Sequence, residues 1–177
     1  MKSVFTDRYH SDLHRYEEGK LLVYVRLFHF LYRKAQTRRN PVSRTIYKAM
    51  FRIHSRRHGI EIPTCCSIGK GLYLGHAYNI TVNGDATLGT SCNLHKGVTI
   101  GAESRGARTG SPMIGNRVWI GVNATVVGHI TIGDDVMIAP NAFVNFDVPS
   151  HSVVIGNPGR IISRDHATEG YVVNPVV

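Results

Sequence analysis

Large aliphatic residues recur at every sixth position through the middle of the chain. Ile62, Ile68, Leu74 and Ile80 set the step, and after a slip of two it resumes at Leu88, Leu94 and Ile100. After a longer break it runs through Ile114, Ile120, Val126, Ile132, Ile138 and Val144. The next residue is often glycine, as at Gly69, Gly75, Gly89, Gly101, Gly115, Gly121 and Gly133. The fourth residue on is small or branched, as at Cys66, Cys92, Val98, Val118, Ala124, Ile130, Val136 and Ala142. A helix repeats every 3.6 residues and a half-buried strand every two, so neither explains a sustained step of six. The pattern predicts a parallel β-helix of hexapeptide repeats. Three hexapeptides close one triangular coil, with the aliphatic residues stacked inward about 4.8 Å apart, as adjacent strands are.

Two interruptions stand out. Two residues are extra between Ile80 and Leu88, which predicts a small bulge over 81–85. Between Ile100 and Ile114 the small polar stretch 102–111 reads as an extruded loop, and a repeat array tolerates such a loop on its outside. Val148-Pro149-Ser150 turns the chain, residues 153–162 form a last strand and exit, and 165–177 read as a mobile tail.

Residues 1–58 read as helical. After a polar stretch from Ser3 to Lys20, Leu21, Leu22, Val25, Phe28, His29 and Tyr32 form an amphipathic stripe. Arg33, Lys34, Arg38 and Arg39 close that helix at its negative end. Asn40-Pro41 breaks it, Ser43 is the expected cap of a second helix carrying Ile46, Tyr47, Met50, Phe51 and His54, and Gly59 ends that helix. The expected organisation is a helical cap over 1–59, a β-helix over 60–162 and a tail over 163–177, the cap covering the open first coil.

The formal net charge of +9 is uneven. Residues 1–60 hold fourteen Lys and Arg against four acids, and residues 61–177 hold seven against eight. The basic character therefore belongs to the cap, which suits a phosphate-bearing partner such as a membrane surface or a lipid-linked sugar, or equally a solvated helix face. No helix-turn-helix, zinc-finger or RNA-recognition pattern is present, so no nucleic-acid partner is expected. Cys65, Cys66 and Cys92 have no metal-ligand spacing and read as core fillers in a reducing compartment. The segment Leu21–Tyr32 is too short to span a bilayer and is interrupted by Arg26 and His29, and no cleavable leader pattern is seen, so a cytoplasmic location is expected.

Within the coils no two of the ten histidines have the spacing of a β-helix zinc site, so no metal is expected. His76, in Leu74-Gly75-His76-Ala77, falls at a corner where side chains project outward. Glu61 lies fifteen residues earlier, a spacing that suggests adjacent coils. A carboxylate beside an imidazole fixes its tautomer and suits it to general-base work on a hydroxyl, although such pairs are more often surface contacts.

The stretch from Glu61-Ile62-Pro63 through Ile68-Gly69-Lys70-Gly71 to Gly75-His76-Ala77 resembles the catalytic stretch of the serine O-acetyltransferases. Those enzymes read Asp-Ile-His-Pro, Ile-Gly-x-Gly and Asp-His-Ala. Val98-Thr99-Ile100-Gly101, Trp119-Ile120-Gly121 and Gly156-Asn157-Pro158-x-Arg160 continue the resemblance, which covers 60–162. It implies a left-handed β-helix, a homotrimer, and direct acetyl transfer from acetyl-CoA with His76 as base and Glu61 as its orienting acid. It further implies acetyl-CoA contacts at Trp119, Gly121, Val122, Pro140 and Arg160. His95, Lys96, Arg108 and Ser111 are the candidate acceptor-binding residues.

The departures are specific. Where the family carries Asp-Arg-His-Pro to hold the serine carboxylate, this chain has Thr109-Gly110-Ser111-Pro112. Gly75 replaces the acid before the histidine, and the helical domain is short. These features are more similar to the O-acetyltransferases of capsule and exopolysaccharide pathways, of the colanic-acid type. The expectation is therefore acetyl transfer to a sugar hydroxyl in surface-polysaccharide assembly. The alternatives are serine as acceptor, or a non-catalytic trimeric scaffold.

Overall fold

The computed structural model describes residues 3–17 and 21–176. The last part of the polar segment expected to reach Lys20 therefore lies outside the described residues. Three helices precede the strands: α1 (Val4–His14), α2 (Val23–Thr37) and α3 (Pro41–Arg57). The cap of α3 is Asn40, whose side chain accepts from Val42 N and Ser43 N, and not Ser43 as expected. Pro41 explains the earlier start, because its fixed φ and missing N–H suit the first helical position.

Fifteen short strands follow, and they wind into three faces. Face A holds β1 (Ile60–Glu61), β4 (Ile80–Val82), β7 (Thr99–Gly101), β10 (Thr125–Val127) and β13 (Phe143–Val144). Face B holds β2 (Ser67–Ile68), β5 (Thr87–Leu88), β8 (Met113–Ile114) and β11 (Thr131–Ile132). Face C holds β3 (Tyr73–Gly75), β6 (Asn93–His95), β9 (Trp119–Ile120), β12 (Val136–Ile138), β14 (Ser152–Ile155) and β15 (Arg160–Ser163). All pairings are parallel except the terminal β14–β15 hairpin. The aliphatic ladder is buried throughout and forms one continuous core with the apolar faces of α2 and α3.

The pairing register moves the first interruption. Ile68 pairs with Leu88, Leu74 with Leu94, and Val82 with Ile100. Val82, and not Ile80, is thus the ladder residue above Ile62. The two extra residues lie between Leu74 and Val82, at the His76 corner, and not over 81–85. Both Ile80 and Val82 are buried, which is why periodicity alone misassigned the step.

A β-helix has an open end whose backbone groups need partners. Here side chains of the helices supply them. Arg33 donates to the carbonyls of Ile68 (3.0 Å) and Gly69 (2.6 Å), and the Tyr32 hydroxyl donates to the Cys66 carbonyl. Leu72 N donates to the Asp12 carboxylate, and Leu74 N to the Tyr16 hydroxyl. Asp12 and Arg33 are themselves joined by two hydrogen bonds, 2.8 and 3.0 Å, and both are fully buried. Arg33 is therefore a core residue and not one of the surface cations that its place at the helix end suggested.

The C-terminal segment also departs from expectation. It is tied down along face C rather than free. The Asp135 carboxylate accepts from Ala167 N, Thr168 N and the Thr168 hydroxyl. Asn93 donates to Tyr171 O, Arg15 to Val173 O, and Ser91 bonds Val176. Arg15 also reaches the Gly71 carbonyl and the Asn93 side chain, so one buried guanidinium joins cap, first coil and tail.

Burial alone would raise the Asp12 pKa, but the charge and hydrogen bonds of Arg33, with His29 close by at 3.4 Å, outweigh it and hold the carboxyl below its usual range. A depressed carboxylate pKa contributes stability that is complete above the ordinary value near 4 and is lost as pH falls through the folded value. Asp12→Ala leaves Arg33 buried without its anion and is expected to cost about 3–5 kcal/mol, measured by urea unfolding at neutral pH. The difference between wild type and Asp12→Ala should shrink below about pH 4.

Candidate active site

The site is assembled at the corner where the first coil leaves face C for face A. The two extra residues there bring His76 and Asn79 into the left-handed region, with φ of 50° and 52°. The backbone turns sharply, and the His76 side chain stands exposed at the edge of face C.

His95 lies directly above Gly75, its register partner. A Cβ built on Gly75 would fall 2.4 Å from His95 Nδ1, so the glycine is required by the imidazole that lies over it. The His95 ring leans on Trp119, with centroids 4.7 Å apart, and Tyr73 lies at 6.1 Å. Its Nε2 is buried and has no hydrogen-bond partner. Desolvation, with a smaller contribution from nearby His76, pushes the His95 pKa down to about 4. His95 is thus a neutral imidazole with an unsatisfied nitrogen, beside an exposed histidine. Such a group can exchange a hydrogen bond with a hydroxyl or carbonyl brought to the corner.

Trp119 extends the site along face C, nearly buried under Tyr171 at 5.3 Å. It leans over Gly121, where a Cβ would meet Pro140 N at 2.7 Å and the indole at 2.8 Å. Asn141 N donates to Val122 O. Trp119, Gly121, Val122 and Pro140 therefore form one backbone-rich shelf next to His95. Arg160 stands apart from it, on the terminal hairpin opposite Ile155. Lys96 is exposed beside His95, and its backbone ties the corner to neighbouring coils through Gly75 O and Asn123 N.

Three expected site residues make no hydrogen bond to His76 within one chain among the described residues. Glu61 and His76 lie on the same coil and not on adjacent ones, and Glu61 sits under Thr81, in the strand that the His76 corner leads into. No hydrogen bond or ion pair joins them among the described residues. Glu61 instead lines a groove with Lys48, Arg52 and Arg56 of α3. Arg108 and Ser111 lie on the loop between β7 and β8, at the next corner of the prism. There Arg108 is paired with Glu103 at 3.1 Å, and Ser111 donates to the Asn83 side chain. The loop is folded back on itself by the Glu103–Gly110 bridge and rests on His129. Among the described residues no group of three or more His, Cys, Asp or Glu could hold a metal ion.

Sequence reasoning missed the Gly75–His95 notch and Tyr171. The notch carried a signal: counting the first coil as twenty residues sets His95 over Gly75. Tyr171 carried none, since it belongs to a segment outside the repeat.

A stacked hexapeptide prism with an exposed histidine at a coil corner defines the class of hexapeptide-repeat proteins. The signature "Bacterial transferase hexapeptide (six repeats)" matches residues 111–145. A serine acetyltransferase from Synechococcus elongatus is 32% identical over 149 residues, covering 84% of this chain and 58% of that protein. One from Helicobacter pylori is 36% identical over 107 residues, covering 60% of this chain and 63% of that protein. The chain thus spans less than two thirds of the length of these relatives. Among solved structures, the soybean serine acetyltransferase apoenzyme superposes with a TM-score of 0.77 at 25% identity, over 89% of this chain and 69% of that one. A serine acetyltransferase in complex with CoA superposes with a TM-score of 0.75 at 23% identity, over 89% and 69% of the two chains. The chain shares their left-handed β-helix and carries the bacterial transferase hexapeptide signature.

The neutral His95 has a consequence for stability. A histidine whose folded pKa lies below its unfolded value near 6.5 leaves stability intact above that value and lowers it as pH falls from about 6.5 toward about 4. His95→Phe is expected to remove this part of the acid sensitivity, seen as a smaller loss of Tm between neutral pH and about pH 5. Nitrogen-15 NMR of the wild type should show the His95 ring neutral over the same interval.

Proposed function

We propose that the chain is an acetyl-CoA-dependent O-acetyltransferase in which His76 accepts the proton of the acceptor hydroxyl. The observation that carries this reading is the pairing of an exposed corner histidine with a neutral, unsatisfied His95, beside the shelf of Trp119, Gly121, Val122 and Pro140. A serine acetyltransferase of the same fold forms a complex with CoA, which supports CoA as the donor, and the shelf beside His95 is the surface we assign to it. Acetyl-CoA supplies the activated thioester. His76 holds the proton as the acceptor oxygen bonds to the acetyl carbon and the carbon–sulfur bond breaks, and returns it to the departing thiolate. Main-chain amides at the coil edge supply donors for the oxyanion. In this reading Glu61 orients His76, and Arg160, Lys96, Arg108 and Ser111 contribute through a trimer, in which the corner of one subunit faces a neighbour's edge.

Serine is the acceptor favoured by the relatives, all of those compared above being serine acetyltransferases. A second reading, a sugar hydroxyl, rests on one observation. Arg108 is already engaged by Glu103, so the cation next to Thr109-Gly110-Ser111 is committed rather than free for a carboxylate.

Release of free CoA from acetyl-CoA, measured with L-serine and with a panel of free and nucleotide-linked sugars, separates the two. Saturable turnover with serine supports the first reading, and turnover with sugars alone supports the second. In either case His76→Ala should lower kcat by on the order of 100-fold. An unchanged rate would remove the enzyme reading of this corner and leave a scaffold. Gly75→Ala should lower kcat by about tenfold or more without unfolding the chain, because it displaces the His95 ring that a hydrogen-bonding role requires.

A further inference from the structure

The helices cover the open coil with one side only, and their other side is unpartnered. Leu22, Val23 and Leu27 of the α2 end are 54%, 85% and 42% exposed. On α3, Val42, Ile46, Met50 and Ile53 are 68%, 54%, 48% and 67% exposed, and they fall four, four and three residues apart on one stripe. Leu22, Val23 and Leu27 meet Met50 and Ile53 in a shallow apolar groove that also includes Arg57. Arg26 and Arg57 are exposed and make no ion pair among the described residues.

We propose that this face binds an anionic lipid surface, with α2 and α3 lying in the plane of the headgroups. Charge decides between the occupants that an apolar face could take. From Leu21 to Ile60 the chain holds ten Lys and Arg and no Asp or Glu. A second copy docking the same face would meet like charges with no anion to offset them. An anionic bilayer offers hydrocarbon for the stripe and phosphates for the cations, whose long stems reach outward past the apolar side chains. No helix among the described residues is long and apolar enough to cross a membrane, which fits surface binding. The cations that do this differ from the run at the end of α2. Arg33 is buried against Asp12, Lys34 lies over the Phe5 ring at 3.7 Å, and Arg38 is near the Tyr47 ring. The binding is independent of the acetyl-transfer reading.

The test is co-flotation of the full chain with vesicles of phosphatidylcholine alone or with about 30 mol % phosphatidylglycerol, at near-physiological salt. Binding to the anionic vesicles and not to the neutral ones is expected, weakening as salt is raised. Ile46→Asp with Ile53→Asp should abolish it, and Arg26→Gln with Arg57→Gln should weaken it by on the order of tenfold. All four positions are exposed, and circular dichroism and Tm of each variant check the fold. Absence of binding to anionic vesicles overturns the proposal. So does a concentration-dependent self-association that Ile53→Asp breaks without any vesicle binding, which would assign the face to a second copy. Equal binding of soluble polyglutamate, insensitive to Ile46→Asp and Ile53→Asp, also overturns it, because charge alone would then be responsible.

Discussion

The open edge of the first coil is the constraint from which the rest of the structure follows. Every later coil lends its backbone groups to a neighbour, but β1, β2 and β3 have none below them. An exposed parallel edge invites another chain to pair with it, and a buried one without partners costs several kcal/mol. The helices answer this with side chains. Arg33, Tyr32, Tyr16 and Asp12 take up the carbonyls and amides of the first coil. The cost is a buried ion pair, and its worth lies in closing the edge rather than in Coulomb attraction alone.

The same constraint shapes the site. Arg15 spans the cap, the Gly71 carbonyl, Asn93 and Val173, so the tail is held over face C by a group that belongs to the cap. That tail places Tyr171 against Trp119, and Trp119 supports His95 over Gly75. His76 stands on the last corner of the coil that the helices seal. A capping network is thereby continuous with a set of aromatic and imidazole rings at the corner, and the irregular corner is held by regular neighbours on both sides.

The chain also divides its surfaces by chemistry. The prism carries almost no net charge, and its outward rows offer glycine, small polar groups and backbone. The cap carries the positive charge and an apolar stripe that the core does not need. One surface suits a small donor and acceptor, and the other suits an extended anionic partner. The Asp12–Arg33 pair shows how little of the cap's basic run can be read as surface from sequence, since a cation at a helix end was required inside.

The six-residue step of aliphatic residues determined the prism by itself, because only a coil of three short strands buries every sixth side chain. It also determined the extruded loop, which no core position can absorb, and singled out His76 as a polar residue at a corner. Tertiary structure alone decided the rest. Ile80 and Val82 are equally apolar, so only strand pairing could say which carries the ladder and that the extra residues fall at His76. Glycine at position 75 looks like an ordinary corner residue until His95 is seen to occupy the space of its missing side chain. The placing of the Arg108 loop at a different corner from His76, and the ordering of the tail, depend on which faces meet at which corner. A one-dimensional period fixes the spacing along a coil, but the contacts between coils, cap and tail are set by three-dimensional closure.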